Sequence, residues 1–170
     1  LDNEMSMPMG KMDSKGIGDL KIAGLYDLAQ GDSRRRMHLK LGLNLPSGSI
    51  DEKYDGQILG YGMQLGSGTY DFEPAITYLA QTENYSYGAQ LGGILRIGEN
   101  DQDYTLGNKF EATLWGARKI TESLSASAKF DYSSQSEVDG KDTRMNEAMS
   151  PALDPKSQGR DITTFGLGLN

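Results

Sequence analysis

The chain has 170 residues, no cysteine, one histidine and a formal net charge of −7. These numbers exclude a disulfide scaffold, a thiolate metal site and a multi-histidine metal centre, and the acidic balance argues against a nucleic-acid partner, which needs a basic patch. No run of about 18 apolar residues exists, so no transmembrane helix is expected.

The opening, LDNEMSMPMGKM, lacks the basic region and apolar core of a signal peptide. It places thioethers at Met5, Met7, Met9 and Met12. Soft sulfur suits Cu(I), so one reading is a copper-capture loop on an outer rim; the other is adaptable apolar filler in a flexible loop.

From residue 18 onward apolar residues recur with period two, the spacing of a strand with one apolar and one polar face. GDLKIAGLYDL (18–28) puts Leu20, Ile22, Gly24, Tyr26 and Leu28 on one side. HLKLGLNLPSG (38–48) alternates Leu39, Leu41, Leu43 and Leu45 with His38, Lys40, Gly42 and Asn44. TYDFEPAITYLA (69–80), YSYGAQLGGILRIG (85–98), KFEATLWGARK (109–119), LSASAKFDY (124–132) and ITTFGLGLN (162–170) repeat the pattern, making seven expected strands. Pro74 falls inside the third run, and because proline cannot donate to a ladder, a bulge or a local break is expected there.

The connections alternate in length. AQGDSR, QTEN and ITES read as tight turns, whereas residues 46–68, 99–108 and 133–160 form longer stretches rich in Gly, Asp and Ser. In an up-and-down barrel this collects the short turns at one end and the long loops at the other, the asymmetry of outer-membrane barrels.

Periodicity alone does not say which face points outward. Three features favour an apolar exterior facing lipid. Charges recur mid-strand on the polar face. Small residues share that face, among them Ala23, Gly42, Ala75, Gly88, Gly92, Ala117 and Ser127, as suits a crowded interior. Tyrosines at 26, 70, 78, 85, 87 and 132 flank the apolar band as an interfacial girdle would. On this reading Asp19, Lys21, His38, Lys40, Asn44, Asp71, Glu73, Gln90, Arg96, Glu111, Lys129 and Asp131 line a polar lumen. Their signs tend to alternate from strand to strand, so cross-strand pairing is expected.

Catalytic and metal motifs are sparse. ENDQDY (99–104) clusters carboxylates but lacks calcium-loop spacing and reads as a hairpin tip; no G-x-S-x-G elbow occurs, and GSGTYDF lacks the G-K-[ST] of a phosphate loop. His38 is the single possible imidazole base and is more simply a polar residue near one rim. Neither an enzymatic role nor a cofactor is expected.

The segments GIGDLKIAGLYDL, LKLGLNLPSGSIDE, MQLGSGTYDFEPAITYLAQ and YSYGAQLGGILRIG resemble outer-membrane proteins of the meta-pathway phenol-degradation (transporter) family, with G-D-L-K, L-P-[ST]-G and L-G-[ST]-G-x-x-D in similar order and spacing. The resemblance covers most of the chain. It implies an all-β, antiparallel up-and-down transmembrane barrel of about 12 strands in the bacterial outer membrane, passing small, hydrophobic or aromatic compounds. Seven strands fall short of that, and the chain opens on Leu1 and stops within TFGLGLN. It is therefore expected to be an internal piece of a single barrel domain, 1–170, incomplete at both ends, with outer-membrane lipid and small solutes as its partners. Two other readings stay open: a soluble calycin-like binder of a hydrophobic ligand, with its leucines inward, and a structural surface barrel without transport.

Overall fold

The computed structural model describes residues 14–28 and 34–170. Seven long strands dominate it: β1 (Leu20–Asp27), β2 (Arg35–Leu45), β3 (Tyr70–Gln81), β4 (Tyr85–Ile97), β5 (Lys109–Lys119), β6 (Ser125–Gln135) and β7 (Arg160–Leu169). They form one antiparallel sheet in which every strand lies beside its neighbour in sequence. All seven expected runs are strands. Three are longer than the alternation suggests, because backbone pairing continues where side-chain polarity no longer alternates: Arg35 pairs with Ala80, and Arg160 with Gln135.

The sheet is open. β1 and β7 are its two edges and do not pair with each other. The described tight turns, between β3 and β4 and between β5 and β6, lie at one end of the strands, and the connections 46–69, 98–108 and 136–159 lie at the other. AQGDSR lies outside the described residues except for Arg34, as do Met5, Met7, Met9 and Met12.

At Pro74 the ladder breaks on one side. Phe72 pairs with Leu95 and Ala75 with Gly92, while Glu73 and Pro74 have no partner on β4. No residue is inserted, so the register is the same on both sides of the gap. The β2 side stays paired, with Pro74 opposite Leu41.

Direct cross-strand partners share a face, which lets the two faces be read from the register. Leu20, Ile22 and Tyr26 lie opposite Leu45, Leu43 and Leu39; Leu43 and Leu39 lie opposite Phe72 and Ile76; the row continues through Leu91 and Ala112 to Tyr132 and Thr163. This apolar face is bare. Ile22 is 59% exposed, Leu114 53%, Phe165 66% and Leu167 78%. The tyrosines at 26, 70, 78, 85, 87 and 132 all lie on it.

The hydrophobic core lies elsewhere, in the long connections. Ile58, Tyr61, Tyr104, Val138 and Met145 pack together with Leu106 and Leu153 against them. Tyr61 and Tyr104 meet edge to face, ring centroids 4.9 Å apart, a favoured aromatic geometry. Tyr104 is fully buried, and burial pushes its hydroxyl up to about 12. Met145 is thus apolar filler in this cap; Met149 is exposed. Asn100 accepts from the backbone N–H groups of Gln102 and Tyr104, which makes the ENDQDY stretch a tight hairpin tip.

Asp142 ties the cap together. It is buried, and Arg144 forks onto it at 2.6 Å while also reaching Asp51. Burial works against the charged carboxylate, but the Arg144 guanidinium outweighs it and holds Asp142 below its ordinary value. A depressed native pKa gives stability that is present above the unfolded value of 3.8 and lost as pH falls through the native one. At pH 4.5, pepsin is expected to spare residues 136–159 of the wild type and to cut them in Asp142→Asn; as pH falls further below 3.8 the difference between the two should narrow. Equal cutting at pH 4.5 would remove this ion pair from the account of the cap.

Candidate functional site

The face opposite the apolar band carries the charge. It is also the shielded side: Asp71, Glu73 and Thr77 are buried while the leucines behind them are exposed. Such asymmetry is what curling a sheet toward its charged face produces.

Asp19, just ahead of β1, joins three segments. One carboxylate oxygen accepts from the N–H of Gly48 at 2.8 Å; the other accepts from the N–H of Ser67 at 2.8 Å, the Ser67 hydroxyl at 3.1 Å and the Asn44 amide at 3.3 Å. The backbones of Gly48 and Gly66 press together here: a Cβ on Gly48 would come within 2.8 Å of Gly66 Cα. The G-D-L-K, L-P-S-G and L-G-S-G-x-x-D stretches are therefore parts of one joint.

Asp71, the second residue of β3, is the second hub. It accepts from Thr69 Oγ1 at 2.7 Å, Asn44 Nδ2 at 3.2 Å and Arg96 Nη1 at 3.0 Å, Arg96 lying directly opposite it on β4. Arg96 Nε also donates to the Gly107 carbonyl at 3.2 Å. Glu73 is the third hub: Lys21 reaches it across Gly42 at 2.6 Å, and Lys40 lies 3.4 Å away. Gln90 donates to Thr77 at 2.9 Å.

On β5 and β6 the pairing differs from the expected cross-strand alternation. Glu111 pairs with Lys109 on its own strand at 2.6 Å, and Asp131 with Lys129 on its own strand at 3.0 Å. The register explains this. Glu111 lies opposite Gly92 and Ser133, Lys129 opposite Trp115 and Gly166, and Asp131 opposite Thr113 and Thr164, so no opposite charge sits directly across. Thr113 instead donates to Asp131 at 2.8 Å.

Every residue singled out from the sequence for a lumen therefore lies on this charged face or at its rim. His38 sits among them, opposite Asp27 and Thr77, with no serine directly across. Lys109 was not singled out, although it alternates in phase with Glu111. Trp115 also stands on this face, opposite Gly88, where a Cβ would overlap its ring. At the centre is a polar groove of about 330 Å³ lined by Lys21, Lys40, Glu73, Gln90, Glu111 and Thr113. It presents both signs of charge and neutral hydrogen-bonding groups. Among the described residues no cluster of three or more His, Cys, Asp or Glu could hold a metal ion.

The fold is that of a known outer-membrane barrel. The structure matches the COG4313 outer membrane channel from Pseudomonas putida F1 with a TM-score of 0.59 at 14% sequence identity, over 87% of this chain and 51% of the channel. The chain thus spans about half the length of that protein. Among curated proteins, none matches it. A family model does match, from residue 2 to residue 170: the chain belongs to the family described as "Putative MetA-pathway of phenol degradation".

Proposed function

We propose that the full protein is an outer-membrane channel for small solutes, with the charged face lining its lumen and the apolar face against lipid. The observation that carries this reading is the inverted sheet. Its large apolar side chains are exposed as a band, while Asp71 and Glu73 are paired and buried on the other side. Soluble proteins rarely leave so large an apolar patch bare. A soluble calycin-like binder would need the leucines on the shielded side, and they are on the exposed one. The family's link to phenol degradation supports small aromatic compounds as the solutes. The short turns then face the periplasm and the long loops the outside.

The test uses the full-length protein. External protease on intact cells should cut within residues 139–160 and spare the β3–β4 and β5–β6 turns. Purified protein in proteoliposomes should admit phenol-sized solutes, and Glu73→Lys should change their uptake by placing three cations together. Cleavage at both ends, or liposomes no more permeable than empty ones, would overturn the reading.

A further inference from the structure

Charge is nearly absent from the outward apolar face, and where it occurs it is at the ends. Following the register across all seven strands, the ionisable groups in phase with the leucines, tyrosines apart, are Arg35, Arg118 and Asp161. Arg35 opens β2 and Arg118 is the second-last residue of β5, so both cations are at the short-turn end; Asp161 is at the loop end. The long connections (46–69, 98–108 and 136–159) hold eleven carboxylates against four cations; at the turn end the five cations Arg34, Arg35, Arg36, Arg118 and Lys119 stand with the four carboxylates Asp27, Asp32, Glu83 and Glu122.

Arg118 is the best built of these positions. It is exposed, lies directly opposite Tyr85 and holds its guanidinium 5.4 Å from the centroid of that ring. A guanidinium over an aromatic ring still has five N–H donors to offer, in a fork suited to a bidentate oxyanion. Among the described residues no carboxylate is in ion-pair contact with Arg118, although Glu83 and Glu122 line the same hollow between the two turns. Tyr87 and Leu114 continue the apolar surface toward the middle of the strands.

We propose that Arg118 and Tyr85 form a binding site for the phosphate of an anionic glycerophospholipid in the periplasmic leaflet. The acyl chains would lie along the apolar band and the phosphodiester against the guanidinium edge. This rests on the membrane reading above, since only an embedded band brings a headgroup to that height. Arg35 is at the same rim but roughly 15 Å away, because its row crosses Ala80 on β3 and Tyr87 on β4 to reach Gly116 on β5.

The experiment uses full-length protein, wild type and Arg118→Gln. Flotation with vesicles of phosphatidylcholine containing 30% phosphatidylglycerol first reports insertion. Native mass spectrometry of protein extracted from those vesicles then reports which lipids stay bound. Wild type should retain phosphatidylglycerol about tenfold over Arg118→Gln, the loss of one charge-assisted bond, and Arg118→Lys should fall between them. Inorganic phosphate at 10 mM should not displace the lipid; if it does, the site is one for free phosphate and the lipid assignment is overturned. If both proteins float but retain the lipid equally, the site is wrong and the membrane reading stands. If neither floats, both are wrong.

Discussion

Asp71→Ala in the full-length protein is expected to cost about 3–5 kcal/mol of stability, because removing one partner of a buried ion pair leaves the other uncompensated. The Asp71 side chain is 3% exposed and that of Arg96 12%. Without the carboxylate, the Arg96 guanidinium keeps the Gly107 carbonyl among the described residues, and the Asn44 amide and Thr69 hydroxyl lose an acceptor. Asp71→Asn keeps the shape and one acceptor oxygen and should cost less. Urea unfolding of the folded protein in lipid would measure both. An alanine variant within 1 kcal/mol of wild type would mean that water or another carboxylate solvates Arg96, and that the groove is wetter than its packing implies.

Leu41→Arg should be nearly as damaging, for a different reason. Leu41 is mid-strand on the exposed face, opposite Gly24 and Pro74, at the height where an arginine facing lipid costs about 2–4 kcal/mol. Its neighbour Lys40 points the other way. Lys40→Gln removes a cation from Glu73, but Lys21 stays 2.6 Å away, so the carboxylate keeps a partner. Refolding both variants into liposomes separates the two faces: a large loss for Leu41→Arg and a small one for Lys40→Gln. Equal losses, or a worse Lys40 variant, would reverse the orientation of the sheet.

Strands and faces were legible in the sequence because a period of two is local: Leu39, Leu41, Leu43 and Leu45 declare one face without knowledge of any partner. The break at Pro74 was legible for the same reason, since the missing N–H belongs to the residue itself. Partnership was less so. Arg96 and Asp71 lie directly opposite each other and follow the expected alternation of sign, but Asp131 meets threonines on both sides and turns to Lys129 on its own strand. Only the register decides between these cases. Least legible was the cap. Tyr61, Tyr104 and Met145 come from three different connections whose composition says loop, and no short-range pattern marks them as a core. Asp19 was singled out as polar, yet its function as a joint depends on Gly48 and Ser67, which become its neighbours only after β2 has turned back.

That separation between a locally paired sheet and a distantly assembled cap has a kinetic consequence. Each strand finds its partner next in sequence, so the sheet can grow hairpin by hairpin with little loop entropy to overcome at any step. The cap cannot nucleate this way. Its side chains are about forty residues apart in the chain and approach only when the strands between them are already docked. Closure of the cap therefore comes after assembly of the wall beneath it, and a protected Tyr104 is a marker of strands already in place.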